Sequence, residues 1–288
     1  MKWKTSRFLL DLTTPKVMGI VNVTPDSFSD GGRHASISSA MQHCEKLLKD
    51  GADILDIGAE STRPGAAQVT LDQELARLLP LLREAVRLGV PISVDTYKPD
   101  VMQAALDLGA DIVNDIWALR WRDATADSLT ATQVVARHPA CGVCLMHMHG
   151  DPSTMQLSPM QGDAVAQANH FLQDSASDLQ QAGVEKSRIV IDPGIGFGKT
   201  AVQNFSLLAR QTELLGGTYP LLVGWSRKSS LMARAGITTG SAAGAFTDER
   251  VVASVTAAVL AVERGASIVR VHDVLETAQA LKVLSAIR

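Results

Sequence analysis

An aspartate delivered by an apolar run into a glycine-rich turn is the strongest chemical signal in the chain, at Ile189-Val190-Ile191-Asp192-Pro193-Gly194-Ile195-Gly196-Phe197-Gly198-Lys199-Thr200. A turn of this kind opening a helix presents backbone N–H groups and one fixed anion to a ligand. Its composition is that of a phosphate loop, but its spacing is not. The Walker pattern needs glycine where Pro193 stands, and the dinucleotide pattern needs glycine where Lys199 stands. What survives is a carboxylate at the C-terminal end of a strand.

Polar residues follow nearly every other apolar run as well: Asn22 with Asp26 and Asp30, Glu60-Ser61-Thr62-Arg63, Asp95, Asn114 with Asp115, His147 with His149, Ser226-Arg227-Lys228, and Arg270 with His272. Each alone has an ordinary explanation as a cap or loop charge, but strand stability requires no such ring. Asp95, Asn114, Asp192 and Lys228 combine acceptors and donors suited to a flat heterocycle of the guanine or pterin kind, whose amino-amidine edge gives two N–H groups to one buried carboxylate. Asn22, Thr62, Arg63, Arg270 and His272 offer amide, hydroxyl and cationic donors suited to an anion such as diphosphate. Mg²⁺ is expected beside it, held by Asn22 and an acid of the first loop.

The connections at 24–32 and 61–65 carry turn residues and charges and read as lids that exclude water. His147 and His149 fall on one side of a strand-like run, but no third ligand has metal spacing and the pair reads as structural. Asp56 and Glu60 share the parity that turns side chains into a barrel interior, beside a cation rather than at the chemistry. No G-x-S-x-G and no Cys–His arrangement marks a covalent nucleophile.

The elements that must position these residues are legible as alternating short apolar runs and amphipathic stretches. Eight strands are expected, at 17–23, 54–59, 92–95, 112–116, 142–148, 189–192, 221–224 and 268–271. Ile37, Ala40, Met41, Cys44, Leu47 and Leu48 form one helical stripe, and Leu71, Leu75, Leu78, Leu79, Leu82 and Val86 another. Thr70 with Gln73 reads as a capping box, Gly51 and Gly89 as helix stops. Eight such units in about 270 residues fit an α/β fold of the (β/α)8 TIM-barrel type, whose active site lies where the strand C-termini converge. A doubly wound sheet would show fewer units and one dominant nucleotide loop. Residues 1–288 read as one domain, with 1–16 as an N-terminal extension that closes the barrel bottom or forms a small hairpin.

A net charge of −3 with scattered Lys and Arg argues against a nucleic-acid binder. The start of the chain lacks the pattern of a signal peptide, and the apolar stretch 251–262 is too short to span a bilayer, so a soluble cytoplasmic protein with no membrane partner is expected. Cys141 and Cys144 form a C-x-x-C inside a strand-like run, which sends them to opposite faces and makes them buried free thiols rather than a redox or metal pair.

The segments 22–32, 60–65, 192–200, 226–229 and 270–273, in this order, resemble the bacterial dihydropteroate synthase family from about Met18 to the C-terminus. The resemblance implies a homodimeric TIM barrel that joins 4-aminobenzoate to 6-hydroxymethyl-7,8-dihydropterin diphosphate, releasing diphosphate by a dissociative, SN1-like substitution. By position it implies a pterin pocket of Asp95, Asn114, Asp192, Lys228 and Arg270, and a diphosphate site of Asn22, Thr62, Arg270 and His272. It implies Mg²⁺ at Asn22 and Asp30, and an aminobenzoate site lined by Phe28, Arg63, Pro64, Phe197 and Ser226. Asn22, Asp30, Lys228, Arg270 and His272 would carry the catalysis, and 251–262 would be a face of the dimer. Trp225 and Ser230 depart from the family's commoner pattern, at the rim of the aminobenzoate site. The nearest other readings are a methyltetrahydrofolate:corrinoid methyltransferase-like barrel and a catalytically silent pterin-binding relative.

Overall fold

The N-terminal residues fold before any barrel strand begins. In the computed structural model, which describes residues 1–23, 32–61, 68–122, 128–214, 219–236 and 247–287, β1 (Lys2–Lys4) and β2 (Leu9–Asp11) pair as an antiparallel hairpin. Both expectations for this extension hold at once, because the hairpin also plugs the barrel floor. Trp3 is fully buried against Met18, Ile54, Ile112, Cys144, Val190, Leu222 and Ile268, and its indole N–H donates to the Arg188 carbonyl at 2.9 Å. Gly142 leaves room for it: a Cβ there would lie 3.1 Å from the Trp3 ring nitrogen.

Above the floor stand β3 (Lys16–Asn22), β4 (Ile54–Gly58), β5 (Ile92–Asp95), β6 (Ile112–Asp115), β7 (Gly142–Met146), β8 (Ile189–Asp192), β9 (Leu222–Val223) and β10 (Ile268–Val271). They pair in parallel in the order β8-β7-β6-β5-β4-β3-β10-β9, and a parallel bridge between Ile191 and Leu221 joins the two ends into a barrel. Strands with apolar residues on both faces need cover on both, and the helices supply the outer one. These are α1 (Gly32–Asp50), α2 (Leu71–Ala85), α3 (Pro99–Asp107), α4 (Ala131–Arg137), α5 (Ala164–Gln181), α6 (Ala201–Ala209), α7 (Ser229–Arg234), α8 (Thr247–Glu263) and α9 (Val274–Ser285).

Local sequence accounts for where the helices start and stop. Thr70–Gln73, Thr130–Gln133 and Thr200–Gln203 are complete capping boxes at α2, α4 and α6. Gly51 and Gly89 adopt the left-handed backbone that ends a helix. Four strands are shorter than expected: β4 stops at Gly58 rather than 59, β6 at Asp115 rather than 116, β9 spans only Leu222–Val223, and β7 is cut back the most among those that keep their start. β7 stops at Met146 rather than 148, because its neighbour β8 turns away at Pro193 after a last bond from the His147 N–H to the Asp192 carbonyl.

Strand parity decides what enters the barrel. Pairing aligns Asn22 with Gly58, Gly58 with Asp95, Asp95 with Asn114, and Met146 with Asp192. These residues share the inward parity of the floor residues two or four positions earlier on each strand. Apart from Gly58 and Met146 the upper layer of the interior is polar, where the lower, apart from Ser93, is apolar. Cys144 points into the barrel and Cys141 into the outer shell, both buried and free. No helix among the described residues is long and apolar enough to cross a membrane.

Candidate active site

Arg270, two residues above the floor residue Ile268 on β10, organises the mouth of the barrel. Its Nε donates to Asp56 Oδ2 at 2.6 Å and its Nη2 to Asp95 Oδ2 at 2.6 Å. Asn114 Nδ2 donates to the same Asp56 oxygen at 3.2 Å. Burial works against the guanidinium charge, but Asp56 and Asp95 outweigh it and the pKa is raised. Asp95 is pushed up from the usual carboxylate range by burial, with Arg270 pulling the other way. Gly58, paired with both Asn22 and Asp95, has no side chain to fill the space between them, and a Cβ there would sit 3.3 Å from Asp95 Cβ.

Asp192 ends β8 on the same layer, buried, with Oδ1 accepting the Gly194 N–H at 2.7 Å. Burial pushes its pKa up to about 6, against the Gly194 N–H and the charges of Lys228, Lys199 and Arg270. The glycine-rich turn is not the open N–H cradle that its composition announces. Gly194 N–H goes to Asp192, Gly196 N–H to Asn204 Oδ1 at 2.8 Å, and Phe197 N–H to the Gly194 carbonyl at 3.1 Å. The glycines serve close packing instead: a Cβ on Gly194 would fall 1.9 Å from the His147 carbonyl oxygen, and one on Gly198 2.2 Å from that of His149. Lys199 is buried and donates to the carbonyls of His147, Gly194 and Phe197, stapling the turn to the loop after β7.

Across the mouth, Lys228 Nζ lies 4.3 Å from the centre of the Phe197 ring, and Ser226 Oγ shares a 3.0 Å hydrogen bond with His272 Nδ1. Asn22 is the last residue of β3 and is exposed there. The structure thus gathers Asn22, Asp95, Asn114, Asp192, Phe197, Ser226, Lys228, Arg270 and His272 around one opening. Phe28, Asp30, Thr62, Arg63 and Pro64 lie outside the described residues.

Two further expectations change. His147 does not share a strand face with His149. It lies past the end of β7, buried edge-on against Phe171, with a pKa pushed down to about 3 chiefly by burial, while His149 is exposed. Trp225 is not a rim residue either: it is buried and packs on Phe205, ring centres 5.6 Å apart. Asp56 and Glu60 both stand beside cations, but different ones. Glu60 pairs with Lys98, which also contacts Glu74 at 2.6 Å, and its Oε1 accepts from Tyr97 Oη at 3.0 Å and from the Val69 N–H at 3.1 Å. That cluster was not legible in the sequence; an i, i+38 carboxylate–ammonium pair carries no periodic signal.

A parallel barrel whose mouth combines buried carboxylates, an amide and an arginine is the architecture of an enzyme that holds a flat, hydrogen-bonding heterocycle, and the family described as pterin binding enzyme matches residues 18–272. A dihydropteroate synthase of Neisseria meningitidis serogroup B is 47% identical over 290 residues, covering 99% of this chain and 97% of that one. The structure of Burkholderia cenocepacia dihydropteroate synthase complexed with 7,8-dihydropteroate superposes with a TM-score of 0.85 at 44% identity, over 100% of this chain and 96% of that one. Xanthomonas albilineans dihydropteroate synthase with 4-aminobenzoic acid gives 0.87 at 42% identity, over 100% and 98%. The chain belongs to the dihydropteroate synthase family.

Proposed function

We propose that this enzyme joins 4-aminobenzoate to 6-hydroxymethyl-7,8-dihydropterin diphosphate, forming the C–N bond of 7,8-dihydropteroate and releasing diphosphate. The observation that carries the reading is the layer of Asp56, Asp95, Asn114, Asp192 and Arg270 closing one barrel mouth in a chain 47% identical to a dihydropteroate synthase. That identity favours the synthase over a corrinoid methyltransferase-like barrel and over a silent pterin binder.

In this reading Asp192 accepts two N–H groups from the pterin edge. One lone pair of Oδ1 is taken by Gly194, and the rest of the carboxylate retains capacity for both. Asn114, Asp95 and Lys228 complete the pocket, and Arg270, fixed by its two carboxylates, flanks the ring. Asn22, Thr62, Arg270 and His272 hold the diphosphate. Asn22 fits a Mg²⁺ role: its amide oxygen is a hard neutral donor at the exposed end of β3, and Mg²⁺ takes few protein oxygens when it also binds phosphates. Asp30 is the second expected ligand. When bound, Mg²⁺ adds positive charge to the departing diphosphate.

The electron-rich dihydropterin stabilises positive charge at its methylene, so the C–O bond breaks ahead of attack and no protein nucleophile is needed. Phe28, Arg63, Pro64, Phe197 and Ser226 place the amine of 4-aminobenzoate for attack on that carbon, the contribution coming from positioning and neutralisation of the leaving group. The enzyme works in the cytoplasm as a homodimer packed through α8. Exposed Val252 on α8 and exposed Val283 on the adjoining α9 support such a face.

Incubating the enzyme with both substrates and Mg²⁺ tests the proposal. Equimolar 7,8-dihydropteroate and diphosphate are expected, and loss of diphosphate without any dihydropteroate, or no turnover, would overturn it.

A further inference from the structure

Beside the Ser226–His272 hydrogen bond runs a second connection between the same two loops. Arg227 and Asp273 are the next residues in each, and they form a bidentate ion pair: Nη2 to Oδ1 at 2.6 Å and Nε to Oδ2 at 3.2 Å. Two features mark this pair as more than surface charge. Arg227 has φ +58°, a left-handed backbone that costs a non-glycine residue and persists only where its surroundings impose it. Asp273 stands at the N-cap of α9, yet its side chain caps nothing; the carboxylate is committed to Arg227.

A third contact fixes the same turn from behind. The Arg227 N–H donates to Ser254 Oγ at 3.0 Å, and the Ser254 hydroxyl donates to the Arg250 carbonyl of α8 at 2.6 Å. Residue 227 is thus held through its backbone by one helix and through its side chain by the start of another. Its neighbour Ser226 has little freedom left, and Ser226 Oγ meets both Nδ1 and the backbone N–H of His272, the latter at 3.1 Å.

We infer that Arg227 and Asp273 are a positioning pair that sets Ser226 against His272. Neither touches the reacting atoms; each acts through the residue before it. The inference rests on the synthase reading, in which Ser226 faces the carboxylate of 4-aminobenzoate and His272 the diphosphate. It adds a requirement that reading does not contain: the two anion ends of the substrates are kept in register by an ion pair outside both subsites.

The test uses Arg227→Met, Asp273→Asn, the double variant and Arg227→Lys, with steady-state kinetics, calorimetry with a simple pterin, and NMR of the His272 imidazole. Each of the first two variants should raise the KM for 4-aminobenzoate by about tenfold, and the double variant should add less than about twofold beyond either, because the pair acts as a unit. Arg227→Lys should recover part of the loss. Affinity for the simple pterin should fall far less than that for 4-aminobenzoate, since Asp192 and Asn114 sit on other strands and Lys228 adjoins the pair only in sequence. In the same variants the His272 ring signal should shift. Loss of thermal stability with an unchanged aminobenzoate KM and an unchanged His272 signal would reduce the pair to a structural role and overturn the inference, as would an equal loss of pterin affinity. If the wild-type enzyme turns over no substrate, the synthase reading fails, and the His272 signal still decides whether the pair sets Ser226 against that ring.

Discussion

The Gly194 N–H lies 2.7 Å from Asp192 Oδ1, and the same glycine backs directly onto the His147 carbonyl. One residue therefore both orients the buried carboxylate and determines how closely two loops pack. Gly194→Ala places a Cβ where His147 O stands, at a φ of +67°, and the left-handed backbone alone costs on the order of 1–3 kcal/mol. The expected outcome is a lower Tm together with at least about a tenfold loss of pterin affinity, as the Asp192 carboxylate swings with the turn. Scanning calorimetry and pterin titration check it; retention of both properties would mean that the turn does not orient Asp192.

Asp192 also predicts a pH dependence. Burial raises its pKa from the ordinary 3.8 to about 6 in the folded protein. A carboxylate must be ionised to accept two N–H groups, so affinity for a simple pterin should be flat above about pH 7 and fall towards tenfold per pH unit below about 6. The stability sign is the reverse. A folded pKa above the unfolded value gives stability that is present below about pH 4 and lost as pH rises through about 6. Ligand-free Asp192→Asn should consequently be more stable than wild type at pH 8, by up to about 3 kcal/mol, with the gap closing near pH 4. Denaturant titrations at the two pH values measure the difference, and a variant less stable at pH 8 would contradict it.

Strand-end residues such as Asp95, Asn114, Asp192 and Arg270 were legible in the sequence because each ends or interrupts an apolar run at a parity that the barrel must turn inward. Asp56 beside a cation was legible for the same reason. The glycine-rich turn was half legible: its aspartate was found, but the destination of its N–H groups was not, since Asn204 and the backbone carbonyls that use them are set by tertiary packing. Arg227–Asp273 left no trace, and of Lys98–Glu60–Glu74 only a cation beside Glu60 was foreseen, because charge pairs 24, 38 or 46 residues apart have no period to detect.

Sulfonamides should inhibit competitively against 4-aminobenzoate. A pocket that takes an aromatic amine with a carboxylate at the far end accepts a sulfonyl group in the carboxylate's place, opposite Ser226 and Arg63. Purely noncompetitive inhibition in initial-rate kinetics would show that the aminobenzoate site lies elsewhere.

Binding should be ordered. Pterin residues other than Lys228 stand on strand ends, whereas Phe28, Arg63 and Pro64 follow β3 and β4 in the connections that also carry Asp30 and Thr62. 4-Aminobenzoate should bind weakly to the free enzyme and well once pterin, diphosphate and Mg²⁺ are present. Asp30→Ala should weaken aminobenzoate binding and leave a simple pterin nearly unaffected; equilibrium titration showing tight aminobenzoate binding to the free enzyme would rule this out.

The carboxylate at the end of β8 anchors the pterin in this reading, and calorimetric titration of Asp192→Asn with a simple dihydropterin isolates that role. Asparagine keeps an oxygen for the Gly194 N–H but turns an N–H donor toward the N–H donors of the pterin edge. Affinity should fall about 100-fold or more, ~3 kcal/mol, in a protein that remains folded. An affinity within about twofold of wild type would place the pterin somewhere other than the barrel mouth built around Asp192.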